Sequence, residues 1–108
     1  MLKTRSLRAL AVAVAATAAL SLGVGAANAT DLPGDYTTAV KLRADSNTSA
    51  TAYGVGYPGQ GNVSHCYKGG TTVGGNSFWD WNTDKATGVT GYSAEFYLTQ
   101  GYAQPTHC

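Results

Sequence analysis

Charge is scarce in this chain: only 12% of its 108 residues are Asp, Glu, Lys or Arg. Cysteine and histidine occur twice each, methionine once and proline three times. So few bases leave no basic stripe to follow a phosphate backbone, which argues against nucleic acid as a partner. The same shortage argues against adhesion to anionic lipid. Beyond residue 29 no run is long and apolar enough to span a bilayer. No window there sustains the i, i+3, i+4, i+7 stripe of an amphipathic helix. No serine stands in a G-x-S-x-G elbow, and His65 and His107 each abut a cysteine. The mutually supporting groups that catalysis needs are absent, so neither an enzyme nor a cofactor is expected.

The first 29 residues differ in kind from the rest. Met1 to Arg8 carries Lys3, Arg5 and Arg8 and no acid, and Ala9 to Leu22 is almost wholly apolar. Ala27-Asn28-Ala29 then supplies the small-x-small pattern of a signal-peptidase site. The apolar run is shorter and richer in Ala than the ~20 strongly apolar residues of a membrane span. Residues 1–29 therefore read as a cleaved export signal, and the protein as secreted and free of the membrane once the signal is removed. No cysteine near the cut could carry a lipid. The 79 residues from Thr30 hold four bases (Lys41, Arg43, Lys68, Lys85) against six acids, a net charge of −2 with His neutral. They suffice for one domain, expected as a monomer. A chain of this size buries only ~60% of its unfolded surface, so a covalent staple would help.

Cys66 and Cys108 are the pair available for that staple. In an exported protein an even number of cysteines points to a disulfide. The bridge would close a loop of about 43 residues, worth roughly 4 kcal/mol in the chain-entropy model. The rival reading is zinc held by His65-Cys66 and His107-Cys108. Adjacent residues on a strand point to opposite faces and converge poorly on one ion, so no metal site is expected.

Thr30 to Tyr36 is a short polar lead containing Pro33-Gly34, expected to be mobile; the domain is expected over 37–108. From there Gly, Asn, Asp, Ser and Thr clusters separate short alternating runs, the signature of a small all-β domain. Thr38 to Arg43 is the first strand, with Val40 and Leu42 inward and Lys41 and Arg43 toward water. Tyr53, Val55 and Tyr57 mark the second, closed by the Pro58-Gly59 turn. Val63, His65 and Tyr67 share one face of the third. Lys68 to Asn76, with four glycines, reads as a flexible loop. Ser77 to Asn82 sets Trp79 and Trp81 on one face and Phe78 and Asp80 on the other. Val89 to Tyr92 returns after a turn over Thr83 to Gly88, and Ala94-Glu95-Phe96 suits one 3₁₀ turn. About five short strands with glycine-rich corners suit a small β-barrel.

The order of these segments resembles bacterial SH3-like domains. Val40-Lys41-Leu42-Arg43-Ala44 and Ser46-Asn47-Thr48-Ser49 are similar to the family's opening strand and loop, and Gly54 with Tyr57-Pro58-Gly59-Gln60 to its next strand and turn. Cys66-Tyr67, Trp79, Thr87-Gly88-Val89-Thr90-Gly91-Tyr92 and Tyr97-Leu98 resemble the second half of the small secreted actinobacterial versions. Ala44-Asp45 stands where Ser-Gly is usual, and Ser93 where Val or Ile is common. The resemblance, spanning Thr37 to Leu98, implies an SH3-like β-barrel. It also implies a secreted module that binds cell-wall peptide or glycan, or an extracellular protein.

Aromatic residues are abundant, with seven Tyr and two Trp. Each can fill the core or meet a ligand by stacking. Tyr53, Tyr57, Trp79 and Tyr92 are the candidate ligand contacts. Two other functions compete with cell-wall binding. One is inhibition of a secreted hydrolase through the Lys68–Asn76 segment; the other is glycoside hydrolysis by Asp80 and Asp84 as a carboxylate pair.

Overall fold

The computed structural model describes residues 31–108; the expected export signal lies outside them. Within them the chain is all-β. Strands β1 (Leu32–Gly34), β2 (Val40–Arg43), β3 (Ala52–Gly56) and β4 (Asn62–Val73) precede β5 (Asn76–Asp84), β6 (Thr90–Ala94) and β7 (Thr106–His107). A 3₁₀ turn covers Glu95–Tyr97, one residue later than the sequence places it. The strands form a single sheet in the order β1-β4-β5-β6-β2-β3, antiparallel along this path, with β7 added parallel to β4. The sheet curls into a half-barrel.

Seven strands replace the expected five because both ends of the described residues join the edge of β4. Leu32–Gly34 pairs with Asn62–Ser64, and Thr106–His107 with Cys66–Tyr67. Neither Leu-Pro-Gly nor Thr-His carries an alternating apolar pattern, so neither announces a strand. The segment read as a mobile lead is thus part of the sheet, and Tyr36 at its end is 1% exposed. Its ring packs with Val40, Leu42 and Leu98, the apolar centre of the domain. Its hydroxyl donates to Asn82 Oδ1 at 2.8 Å.

Cys66 and Cys108 are joined by the expected disulfide, with Cα atoms 4.9 Å apart. The histidines turn to other partners. His65 Nδ1 lies 3.2 Å from the Asp31 carboxylate and its Nε2 2.8 Å from Thr83 Oγ1, while His107 packs edge-on against Tyr67.

The Lys68–Asn76 segment, expected as a flexible loop, is a hairpin. β4 continues through Lys68 to Val73, and the turn is confined to Gly74-Gly75, both with positive φ. Thr-Thr-Val within that stretch has strong β preference, which outweighs the neighbouring glycines. A bulge at His65 also breaks the alternation of β4: Ser64 pairs with Asn82, Cys66 with Trp81 and Tyr67 with Asp80. The extra residue turns Tyr67 to the side of Ser64, away from the face expected for it with Val63 and His65.

Beyond Gly69 the end of β4 holds the loop that follows β2. Ser46 Oγ donates to the Gly69 carbonyl at 2.8 Å, and the Thr71 N–H donates to the Ser46 carbonyl at 3.1 Å. A Cβ on Gly70 would lie 1.8 Å from that carbonyl oxygen, whereas one on Gly69 would meet nothing within 4 Å. Gly70→Ala is therefore expected to lose about 1–3 kcal/mol by forcing the loop off the strand. Gly69→Ala should differ little from the parent. Equal melting temperatures for the two variants would show that the loop is not held by this contact.

Candidate functional site

β2 and β6 are joined at a single register pair, Arg43 with Tyr92. Nearer the start of β2 a side chain bridges them, the Ser93 hydroxyl donating to the Lys41 carbonyl at 3.0 Å. Ser93, which replaces the expected apolar residue, is fully buried and satisfied by this bond. Along β2 here runs a groove of about 470 Å³. Val40, Val73, Trp79, Ala94 and Tyr97 supply its apolar walls. Thr38, Ala39, Lys41, Arg43 and Thr48 complete the lining.

Trp79 is the fixed part of this site. It is 2% exposed, and its Nε1–H donates to the Thr71 carbonyl at 2.8 Å. The indole thus forms a wall held by β4 and not a free stacking platform. Arg43 is also positioned, with Nη1 donating to the Ala50 carbonyl at 2.9 Å. Among the described residues neither Lys41 nor Arg43 has a carboxylate partner; Asp45 pairs with Lys68, and Asp31 lies beside His65.

Cross-strand partners share a face, so the side of the sheet bearing Trp79 continues through Arg43 to Tyr92 and Trp81. The Trp81 and Tyr92 rings are 4.8 Å apart, and Lys68 Nζ stands 4.7 Å from the Tyr92 ring centre. A 2.7 Å bond from Lys68 to Asp45 anchors that ammonium; it holds the Asp45 carboxyl below its ordinary pKa and the Lys68 amine above its own.

The four candidate contacts are therefore divided. Trp79 lines the groove and Tyr92 lies on the same side of the sheet. Tyr53 and Tyr57 are more than half exposed but do not line it. No motif in the sequence marks Lys41, Arg43 or Thr48 as a site residue. Lys41 and Arg43 read as the water-facing half of an ordinary amphipathic strand, and only the covering of that face by Trp79 and Val73 gives them a role.

Asp80 and Asp84 do not form the hydrolytic pair. Four residues apart on one strand, they are about 13 Å apart along it, beyond the ~5–9.5 Å spacing of glycosidase carboxylates. Both are fully buried. Asp84 Oδ1 accepts from the Ala86 and Thr87 N–H groups, organising the turn after β5. Asp80 instead lies beside Glu95, also fully buried, and neither Asp80 carboxyl oxygen finds a hydrogen-bond donor among the described residues. Asn76 Nδ2 and Gln104 Nε2 each donate to Glu95 Oε1 at 3.2 Å. Burial, and then the neighbouring Glu95 carboxyl, push the Asp80 carboxyl up to about 8, with the Ser64 hydroxyl opposing the rise. A carboxyl so placed keeps its proton at pH values where an exposed one has lost it.

No protein-family model matches this chain, and no curated protein is significantly similar to it.

Proposed function

We propose that this protein is a secreted, non-catalytic binding module of the bacterial SH3-like kind, and that its ligand, a cell-wall peptide, lies in the groove walled by Trp79. The observation that carries this reading is the groove itself. Its volume of about 470 Å³ falls within the roughly 300–1,000 Å³ of small-ligand sites. It combines apolar walls with a few polar groups. None of its lining residues is Asp, Glu, His, Cys or Ser, a composition that suits recognition. The export signature, the curled all-β sheet and the SH3-like order of segments support the same reading.

Cosedimentation with purified peptidoglycan tests it. The protein should pellet with the wall material. Thr48→Trp, which places an indole in the groove from an exposed loop position, should reduce the bound fraction about tenfold without lowering the melting temperature. Failure to pellet, with one secreted protein retained instead, would point to an inhibitor. Release of soluble muropeptides would make the protein an enzyme.

A further inference from the structure

The chemistry that the groove selects can be read from its charge, an argument that rests on the binding role just proposed. Acids outnumber bases six to four over residues 31–108, yet two of the four bases, Lys41 and Arg43, line this one groove and no acid does. They stand two residues apart on β2, so both side chains leave the same face of the strand. Neither is neutralised by a carboxylate among the described residues. Arg43 is held in place by the Ala50 carbonyl through one of its five N–H donors. Beside the two cations the walls become apolar at Val40, Val73, Trp79 and Ala94.

We propose that the groove binds the C-terminal carboxylate of a short peptide that ends in a small apolar residue. A carboxylate presents two coplanar oxygens; the Arg43 fork takes them edge-on and Lys41 adds a point charge. The terminal side chain then packs between Val73 and Trp79. A chain end carries its carboxylate and its side chain on one residue, so it meets the two cations and the apolar wall beside them together. An internal acid spends its side chain on the cations and leaves that wall unfilled. The Thr38 and Thr48 hydroxyls remain for the peptide amides.

Isothermal titration of the protein with three synthetic tripeptides tests this: Ala-Ala-Ala as the free acid, the same peptide as its C-terminal amide, and acetyl-Ala-Glu-Ala-amide. The free acid should bind, and the amide about tenfold or more weaker. Arg43→Gln and Lys41→Gln should each bring the free acid toward the amide's affinity while the melting temperature holds. Equal binding of acid and amide would overturn the carboxylate clamp and leave the groove a binding site. Preference for the Glu peptide would overturn the terminal assignment. If no tripeptide binds but pelleting with peptidoglycan remains sensitive to Thr48→Trp, the peptide carboxylate is wrong and the binding module stands. If neither is seen, both fail.

Discussion

Raising the pH from about 5 to about 8 is expected to destabilise this protein and to lower its melting temperature by roughly 10 °C or more. The cause is the buried Asp80–Glu95 pair. Asp80 titrates near its ordinary 3.8 in the unfolded chain and is pushed up to about 8 in the folded one, first by burial and then by Glu95. Because its folded pKa lies above the unfolded one, its contribution is fully present below the unfolded value. It is lost as the pH climbs through the folded value. Between the two the native state holds a proton that the unfolded state has released, so stability falls by up to about 1.4 kcal/mol per pH unit. The groups around the pair do not offset this: Ser64, Asn76 and Gln104 are neutral, and no ion pair reaches either carboxyl among the described residues.

Asp35 and Asp45 act in the opposite direction. Backbone N–H groups, Gly59 first, lower the Asp35 pKa, and Lys68 lowers that of Asp45. Their contributions are present above the unfolded carboxylate range and disappear as acid protonates them. The stability maximum is therefore expected in mild acid, near about pH 4–5. Asp80→Asn keeps a neutral side chain facing Glu95 and removes the titrating carboxyl. Melting curves should show it level with the parent near pH 5 and clearly more stable near pH 8. A parent whose melting temperature is flat or rising over that interval, or an Asp80→Asn variant with the parent's slope, would contradict the raised Asp80 pKa.

The buried acid pair also marks where reading the sequence stops. The alternation of Trp79, Trp81 and Asp80 correctly separates two faces of β5, and Val40 and Leu42 announce the core side of β2. These are local periodicities, and they survive folding because neighbouring strands share the pleat. Asp80 and Glu95 are fifteen residues apart in the chain and meet only because β6 carries Glu95 back beside β5. No spacing rule pairs them, and Asp84, nearer in sequence and equally acidic, is the partner that spacing alone suggests. The groove is hidden for a similar reason. Its walls come from β2, β4, β5, β6 and the loop bearing Thr48, and Lys41 and Arg43 become site residues only once the hairpin after Cys66 folds over their face. That hairpin was obscured by its four glycines, whose turn chemistry is used only at Gly74-Gly75.

Reduction of the Cys66–Cys108 bond is expected to cost about 4 kcal/mol, a large share of the ~5–10 kcal/mol that such a domain has. The last strand cannot hold itself. It is two residues long and meets β4 only at Cys66 and Tyr67, with one further bond from the Cys108 N–H to the Tyr67 carbonyl at 2.8 Å. Without the bridge the chain after the 3₁₀ turn has little to return it to the sheet edge, and the Tyr67–His107 contact is lost with it. The same tail carries Gln104, one of the two side-chain donors to Glu95. Its release admits water to the carboxyl pair, and the burial that raises the Asp80 pKa weakens. Reduction should therefore act twice: it lowers the melting temperature at every pH, and it flattens the decline between about pH 5 and about pH 8. Thermal melts of the Cys66→Ala/Cys108→Ala protein at both pH values separate these effects without a reductant. A variant that melts like the parent would show the tail to be dispensable. One that melts lower but keeps the full pH slope would show that the tail braces β4 without sealing the acid pair.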